Sequence, residues 1–236
     1  RGPNDAGYVF LQPNGGSVPS FWAEFTDPEF RHQNEHLPTF GDAYSREILA
    51  SEPFAVGFGH RRLSILDLSS RGHQPMPSRD RRFWIVHNGE IYNFREIRRD
   101  IGDSESSYRS TGDTETILRA YLKWGPECVE RFNGDFAFAI LDTLDRSVFC
   151  ARDHVGIKPF YYAHDAERIL FGSDIKTIIA SGLSSHRPDP AGLASAMTFG
   201  IATRPTTAFE GIRALEAGAD RAWVVHLRTG PITAPK

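Results

Sequence analysis

The chain has 236 residues, 40% of them hydrophobic and 24% charged, with a formal net charge of −3. That balance is ordinary for a globular protein with room for one large domain or two small ones. It gives no electrostatic reason to expect nucleic acid or an anionic membrane surface.

No apolar run is long enough for a transmembrane helix, and no secretory signal or Asn-X-Ser/Thr site is visible. Two cysteines, Cys128 and Cys150, are too few for a disulfide framework, so a reducing cytoplasm is the default compartment. RGPNDAG, residues 1–7, reads as a Gly/Pro-rich turn, and 8–53 as irregular apart from one helix in DAYSREILAS (42–51). FAVGFGHRRLSILDL predicts two short strands joined at a bend, and RRFWIVHN a further strand. FREIRRDI (94–101) and TGDTETILRAYLKWG (111–125) are amphipathic helices. The second has Asp113 at its N-cap, Gly125-Pro126 as its stop, and Ile117, Leu118, Tyr121 and Leu122 on its apolar face. GDFAFAILDTLDRSVFCARD and PFYYAHDAERILFGSD are two hairpins, predicted to join in one four-stranded antiparallel sheet. SDIKTIIASG (173–182) is helical with Gly182 as its stop, PDPAGLASAMTFG is another helix, and RAWVVHLRTG (221–230) is a last strand. Helices mixed with hairpins imply an α+β fold with helices packed on antiparallel sheet.

Polar clusters fall at element ends: Arg61 and Arg62 in GHRRLSI, Asn88-Gly89-Glu90 in HNGEIYN, and Asp113 in GDTE. Taken singly they read as a solvated arginine, a tight turn and a helix cap. Together they suit a free α-amino acid. Arginine grips a carboxylate through two parallel hydrogen bonds and aspartate holds an ammonium. An Asn amide beside a glycine N–H is the hardware of an oxyanion hole, and glycine lets the backbone approach a reacting carbonyl.

The series RGPNDAG, GHRRLSILDL, GHQPM, NGEIYN, GDTE, NGDFAFAILD, ARDHVGIKPFYY and GSDIK resembles the glutamine amidotransferase domain of asparagine synthetase B-like enzymes. This is a class II domain of the N-terminal-nucleophile type, and the likeness runs over nearly the whole chain apart from 8–53. The resemblance implies a four-layer αββα sandwich of antiparallel sheets over residues 1–230. It implies hydrolysis of glutamine to glutamate and ammonia. Arg62 would take the α-carboxylate and Asp113 the α-ammonium. Asn88 and the Gly89 N–H would form the oxyanion hole, and Glu90 would hold the amide or amine nitrogen. Arg152 and Asp153 would pack and position the strand pair beside the site. No cofactor or metal is implied in this domain. ATP and Mg are implied for a synthetase domain that would follow the linker beginning at 231–236. That domain would be a partner within the full-length chain, and a homodimer is left open.

The nucleophile in such enzymes is a cysteine at the mature N-terminus, and no residue here corresponds to it. Cys128 and Cys150 lie in a helical and a strand context without an activating neighbour. The start without Met is read as a fragment of an active enzyme, inactive as supplied. The alternatives are a catalytically inactive glutamine-binding or interaction domain of the same fold, and an amidotransferase with a changed acceptor.

Other features are set aside. GFGHRR (57–62) lacks the third glycine and the βαβ context of a dinucleotide site. HQNEH (32–36) lacks a third metal ligand, REIRR (95–99) is read as the wet face of a helix, and Trp124 and Trp223 are read as core. The 8–53 stretch is taken as an insertion that covers no pocket.

Overall fold

The structure is a computed structural model that describes residues 5–13, 18–24, 26, 37–51, 53–218 and 223–226. The RGP start, the His32–His36 pair and the 231–236 linker lie outside the described residues. Eleven described strands form three sheets in which every named strand pair is antiparallel. One sheet has the order β2-β1-β3, built from Ser20–Trp22, Asp5–Leu11 and Val56–Arg62. A five-stranded sheet runs β11-β7-β6-β5-β4. Its strands are Trp223–His226, Ser147–Arg152, Gly134–Asp142, Phe83–Ile91 and Met76–Pro77. The third sheet, β10-β8-β9, comprises Ile212–Ala214, Tyr161–His164 and Ile169–Gly172. The helices are α1 (Ala43–Ser51), α2 (Phe94–Ile101), α3 (Thr114–Trp124), α4 (Ile175–Ala180) and α5 (Pro190–Phe199).

Strand alternation builds the layers. Along β6, Phe136, Phe138 and Ile140 enter one core while Ala137, Ala139 and Leu141 enter another. The first core also takes Ile97 and Ile101 of α2 and Ile117 and Leu118 of α3, with Trp124 packed at its edge. The second takes Val9, Leu11 and Phe58 of the β2-β1-β3 sheet and Tyr162 of the third. A smaller core packs Ile178 of α4 against Ala163 and Ile212. The result is helices, sheet, sheets, helix: the expected four-layer αββα arrangement.

Several local expectations need correction. Residues 5–11 are neither turn nor insertion; they are β1, paired along its length with β3 from Asp5↔Arg62 to Leu11↔Val56. Tyr8 to Leu11 are apolar at every position, so the sequence shows no alternation even though Tyr8 and Phe10 are half-buried and Val9 and Leu11 buried. FAVGFGHRRLSILDL gives one strand, not two; after Arg62 the chain leaves the sheet as a loop. The two hairpins do not join in one sheet: β6-β7 belongs to the five-stranded sheet and β8-β9 to the third. Alternation tells which face is buried and not which sheet a strand joins. The charge run of α2 is not wholly wet, because Arg98 is buried. The 42–51 helix, α2, α3, α4, α5 and the final strand fall where expected, within a few residues at their ends.

Candidate functional site

Arg62, Asn88, Gly89, Glu90 and Asp113, with Arg61 beside them, line one cleft of about 1020 Å³. Arg62 comes from the end of β3, Asn88, Gly89 and Glu90 from β5, and Asp113 from the approach to α3. They belong to different layers, and the sandwich brings them to a common rim.

Arg62 is only 6% exposed, so it is not the solvated arginine of the bland reading. Nη1 donates to Asp5 Oδ2 at 3.3 Å and to the Ser69 carbonyl at 2.8 Å. Nη2 donates to the Asp67 carbonyl. A Cβ at Gly72 would run into the guanidinium, so a larger residue there would push the arginine aside. The arginine is thus stretched flat by the 63–72 loop that leaves β3, with N–H groups left over for a ligand.

Asp113 stands at the N-cap position but does not cap; its backbone is already helical and its side chain bonds no α3 amide. Instead Oδ2 accepts the backbone N–H of Ile91 at 2.8 Å. Its other oxygen has no partner among the described residues, and the side chain lines the cleft. A carboxylate so held offers one oxygen to an ammonium while the other fixes its aim.

Asn88-Gly89 is not a turn. The strand continues through both to Ile91, in register with β6 from Phe83↔Asp142 to Ile91↔Gly134. Gly89 has φ +145°, and a Cβ there would strike the Asp135 carbonyl and the Phe136 Cα. No residue but glycine fits. The odd-numbered amides of β5 face away from β6: Phe83 N–H goes to Ser78 Oγ, His87 N–H to Gln74 Oε1 at 2.6 Å, and Ile91 N–H to Asp113 Oδ2. By the two-residue period of the ladder the Gly89 N–H faces the same way, and among the described residues no side chain takes it. The Asn88 amide and the Glu90 carboxylate likewise make no side-chain hydrogen bond among the described residues.

The back wall was not foreseen from the sequence. His87 is buried, with Nδ1 at 3.2 Å from Thr114 Oγ1 and Nε2 unpartnered. Thr114 Oγ1 also accepts from Gln74 Nε2 at 3.4 Å, and with the His87 backbone N–H on Gln74 Oε1 this links the three residues in a ring. Burial pushes His60 down to about 3 and lowers His87 as well, so both imidazoles stay neutral. His73 Nδ1 sits 2.9 Å from the buried Asp5 carboxylate, which also meets Arg62. Asp5 lay in a segment read as a turn, and Gln74 in a Gln-Pro pair; neither carries a spacing that signals a site.

On the other side of the cleft Arg152 donates to the Lys158, Leu215 and Gly156 carbonyls, and Asp153 accepts the Val155, Ile157 and Lys158 amides. Both hold the loop that brings Lys158 to the cleft, the positioning role expected of them. Cys128 and Cys150 are buried away from the cleft; burial pushes the Cys128 thiol up to about 12 and raises Cys150 further. Neither can supply a thiolate near neutral pH.

Residues 35–229 match the glutamine amidotransferase domain family. The chain belongs to this family. Among curated relatives, asparagine synthetase [glutamine-hydrolyzing] 3 of Bacillus subtilis is 38% identical over 161 residues, 67% of this chain and 26% of that protein. A putative asparagine synthetase [glutamine-hydrolyzing] 2 of Methanocaldococcus jannaschii is 42% identical over 142 residues, 54% of this chain and 27% of that one. The amidotransferase chain thus spans about a quarter of the length of these relatives, 26% and 27%. A solved glutamine phosphoribosylpyrophosphate amidotransferase from B. subtilis superposes with TM-score 0.57 at 13% identity, covering 98% of this chain and 44% of that one. At that identity the likeness concerns the fold alone. No described helix is long and apolar enough to cross a membrane.

Proposed function

We propose that this domain is the glutaminase half of an asparagine synthetase-like enzyme. It releases ammonia from glutamine for an ATP-dependent amidation of aspartate or a related carboxylate. One observation carries the reading: Arg62, the Asn88-Gly89 pair and Asp113 line a single cleft. Arg62 takes the α-carboxylate through its remaining N–H groups, and the open oxygen of Asp113 takes the α-ammonium. Glu90 stands at the cleft to hold an amide or amine nitrogen. The carboxamide carbon then lies toward Asn88 and Gly89.

A cysteine thiolate attacks that carbon, the carbonyl oxygen becomes an anion held by the Gly89 N–H and the Asn88 amide, and the amide nitrogen leaves as ammonia with a proton. Water cleaves the resulting thioester to glutamate. Neither Cys128 nor Cys150 is that cysteine, so these residues alone hydrolyse no glutamine and the nucleophile comes from outside them. ATP and Mg act in the synthetase half, which would hold none of the residues described here. Work in the cytoplasm fits this chemistry, and a homodimer is compatible with it.

The test is glutamate release by the full-length protein. Steady glutamate production from glutamine, matched by amidated product, supports the reading. Glutamine binding without any glutamate release would establish the inactive binding domain instead. Glutamate release coupled to a product other than an amide would establish the changed acceptor.

A further inference from the structure

The two charged ends of the proposed glutamine grip stand on different layers. Arg62 closes β3, in the β2-β1-β3 sheet, and Asp113 opens α3, in the helical layer over the five-stranded sheet. No strand pairing joins these elements. Something else must fix the distance between a carboxylate holder and an ammonium holder.

We propose that Asp67 is the positioning residue that ties them together, so that α-carboxylate and α-ammonium are recognised as a unit. The inference rests on the glutamine reading above and assigns Asp67 no contact with substrate.

Asp67 is 6% exposed and sits between the two loops. Toward Arg62, its carbonyl accepts Arg62 Nη2, and its Oδ1 accepts Ser69 N–H at 2.9 Å and Ser69 O–H at 2.6 Å. That fixes the Ser69 carbonyl, which accepts Arg62 Nη1 at 2.8 Å. Toward Asp113, its Oδ2 accepts Ser110 O–H at 2.8 Å and Thr111 N–H at 3.0 Å. Ser110 Oγ in turn accepts the Gly112 N–H at 3.0 Å, one residue before Asp113. From behind, the buried Arg98 donates from Nη2 to the Ser110 carbonyl at 3.0 Å and the Gly112 carbonyl at 2.8 Å. Glu115 Oε2 also accepts the Ser110 N–H at 2.7 Å, so the 110–112 loop is firmly held, and among the described residues Asp67 is what connects it to the arginine.

The chemistry requires a carboxylate. Donors converge on both oxygens, and an amide could accept on one side only; its NH2 would face an O–H or N–H donor on the other. Burial works against the charge, but the bonds from Ser69, Ser110 and Thr111 outweigh it and hold the carboxyl below its ordinary range.

The experiment is Asp67→Asn in the full-length protein, with glutamate release measured against glutamine concentration. The expected result is a KM raised tenfold or more with kcat changed less than threefold. Two analogues complete the test: glutaramate, which lacks the α-ammonium, and 4-aminobutanamide, which lacks the α-carboxylate. The wild type should reject both strongly, and Asp67→Asn should discriminate against both less. A residue that merely supports the fold would lower the active fraction, and so kcat, without moving KM or the analogue penalties. That outcome, or a KM within twofold of wild type, overturns the proposal. Ser110→Ala cuts the link on the Asp113 side alone and should raise KM three- to tenfold; it carries the test if Asp67→Asn shows no cooperative melt. A wild type that accepts both analogues as well as glutamine refutes the glutamine reading itself, a result distinct from failure of the Asp67 step.

Discussion

Asp113→Asn separates the two jobs of one carboxylate. Oδ2 accepts the buried Ile91 N–H at 2.8 Å, while the other oxygen is open to the cleft. An asparagine keeps the first bond, since its carbonyl oxygen accepts as well. At the open position it replaces an anion with an uncharged NH2 donor, which meets a substrate ammonium badly. A charge-assisted hydrogen bond contributes about 1.5–3 kcal/mol, and about 1.4 kcal/mol is tenfold. The KM for glutamine, measured by glutamate release in the full-length protein, should therefore rise about 10- to 150-fold, with the thermal midpoint unchanged. Asp113→Ala removes both bonds. It should show the same kinetic loss together with a stability loss of about 1–3 kcal/mol from the orphaned Ile91 amide. Glutaramate supplies the internal control: lacking an ammonium, it should be handled equally by wild type and Asp113→Asn. If the variant loses glutamine and glutaramate in the same proportion, or if KM moves less than threefold, the carboxylate does not face the ammonium and the orientation of the substrate is wrong.

Gly89→Ala should reduce glutamate release by about 10²–10³-fold, the scale of a lost oxyanion donor, because a Cβ would push the strand off Asp135 and Phe136. Arg98→Met should lower stability to chemical denaturation by about 1–3 kcal/mol, since it orphans the Ser110 and Gly112 carbonyls. Iodoacetamide should leave Cys128 and Cys150 unlabelled in the folded domain at pH 8 and label both in urea, given thiols raised by burial. His60 is neutral in the fold with a value of about 3, against 6.5 in the unfolded chain. Between those values the unfolded state binds the extra proton, so stability falls as pH drops below 6.5. The slope is about 1.4 kcal/mol per pH unit for this histidine, with His87 shifted in the same direction. Denaturant midpoints measured from pH 7 to 4.5 check this, and a His60→Gln variant should show a shallower fall.

Much of the site was legible because its chemistry sits in short contiguous signals. Asn88-Gly89-Glu90 and Asp113 in GDTE each carry an unusual polar set where a strand or helix should otherwise be plain. The supporting residues were not legible, for a physical reason. Asp5, Asp67, Gln74 and Arg98 act through partners 57, 43, 13 and 12 residues away, and no local pattern encodes a bond across that separation. Arg98 shows the failure best. Periodicity places it in a charged run on α2, yet the side chain is buried between Tyr108, Phe94 and the 110–112 loop. The layer order was legible only in part, because β6 and β7 are buried on both faces and read as continuous apolar runs.

The Asn-Gly pair stands inside a strand, and the edge of β5 explains its place there. An open strand edge presents unpaired amides that must find partners or remain a liability. β4 covers only two positions of that edge, Trp84 and Ile85. Beyond it the His87 and Ile91 amides are taken by the side chains of Gln74 and Asp113. The Gly89 amide lies between them with no side chain supplied. A longer β4 would have paired it and closed the cleft, and any residue other than glycine would have moved β6. The short edge strand, the two capping side chains and the glycine act together: among the described residues they leave the Gly89 amide without a side-chain partner, which is what the proposed oxyanion hole needs. A variant that extends β4 by hydrogen-bonding residues should fold more stably and lose glutamate release. Retention of full turnover in such a variant would show that the Gly89 amide has no part in the chemistry.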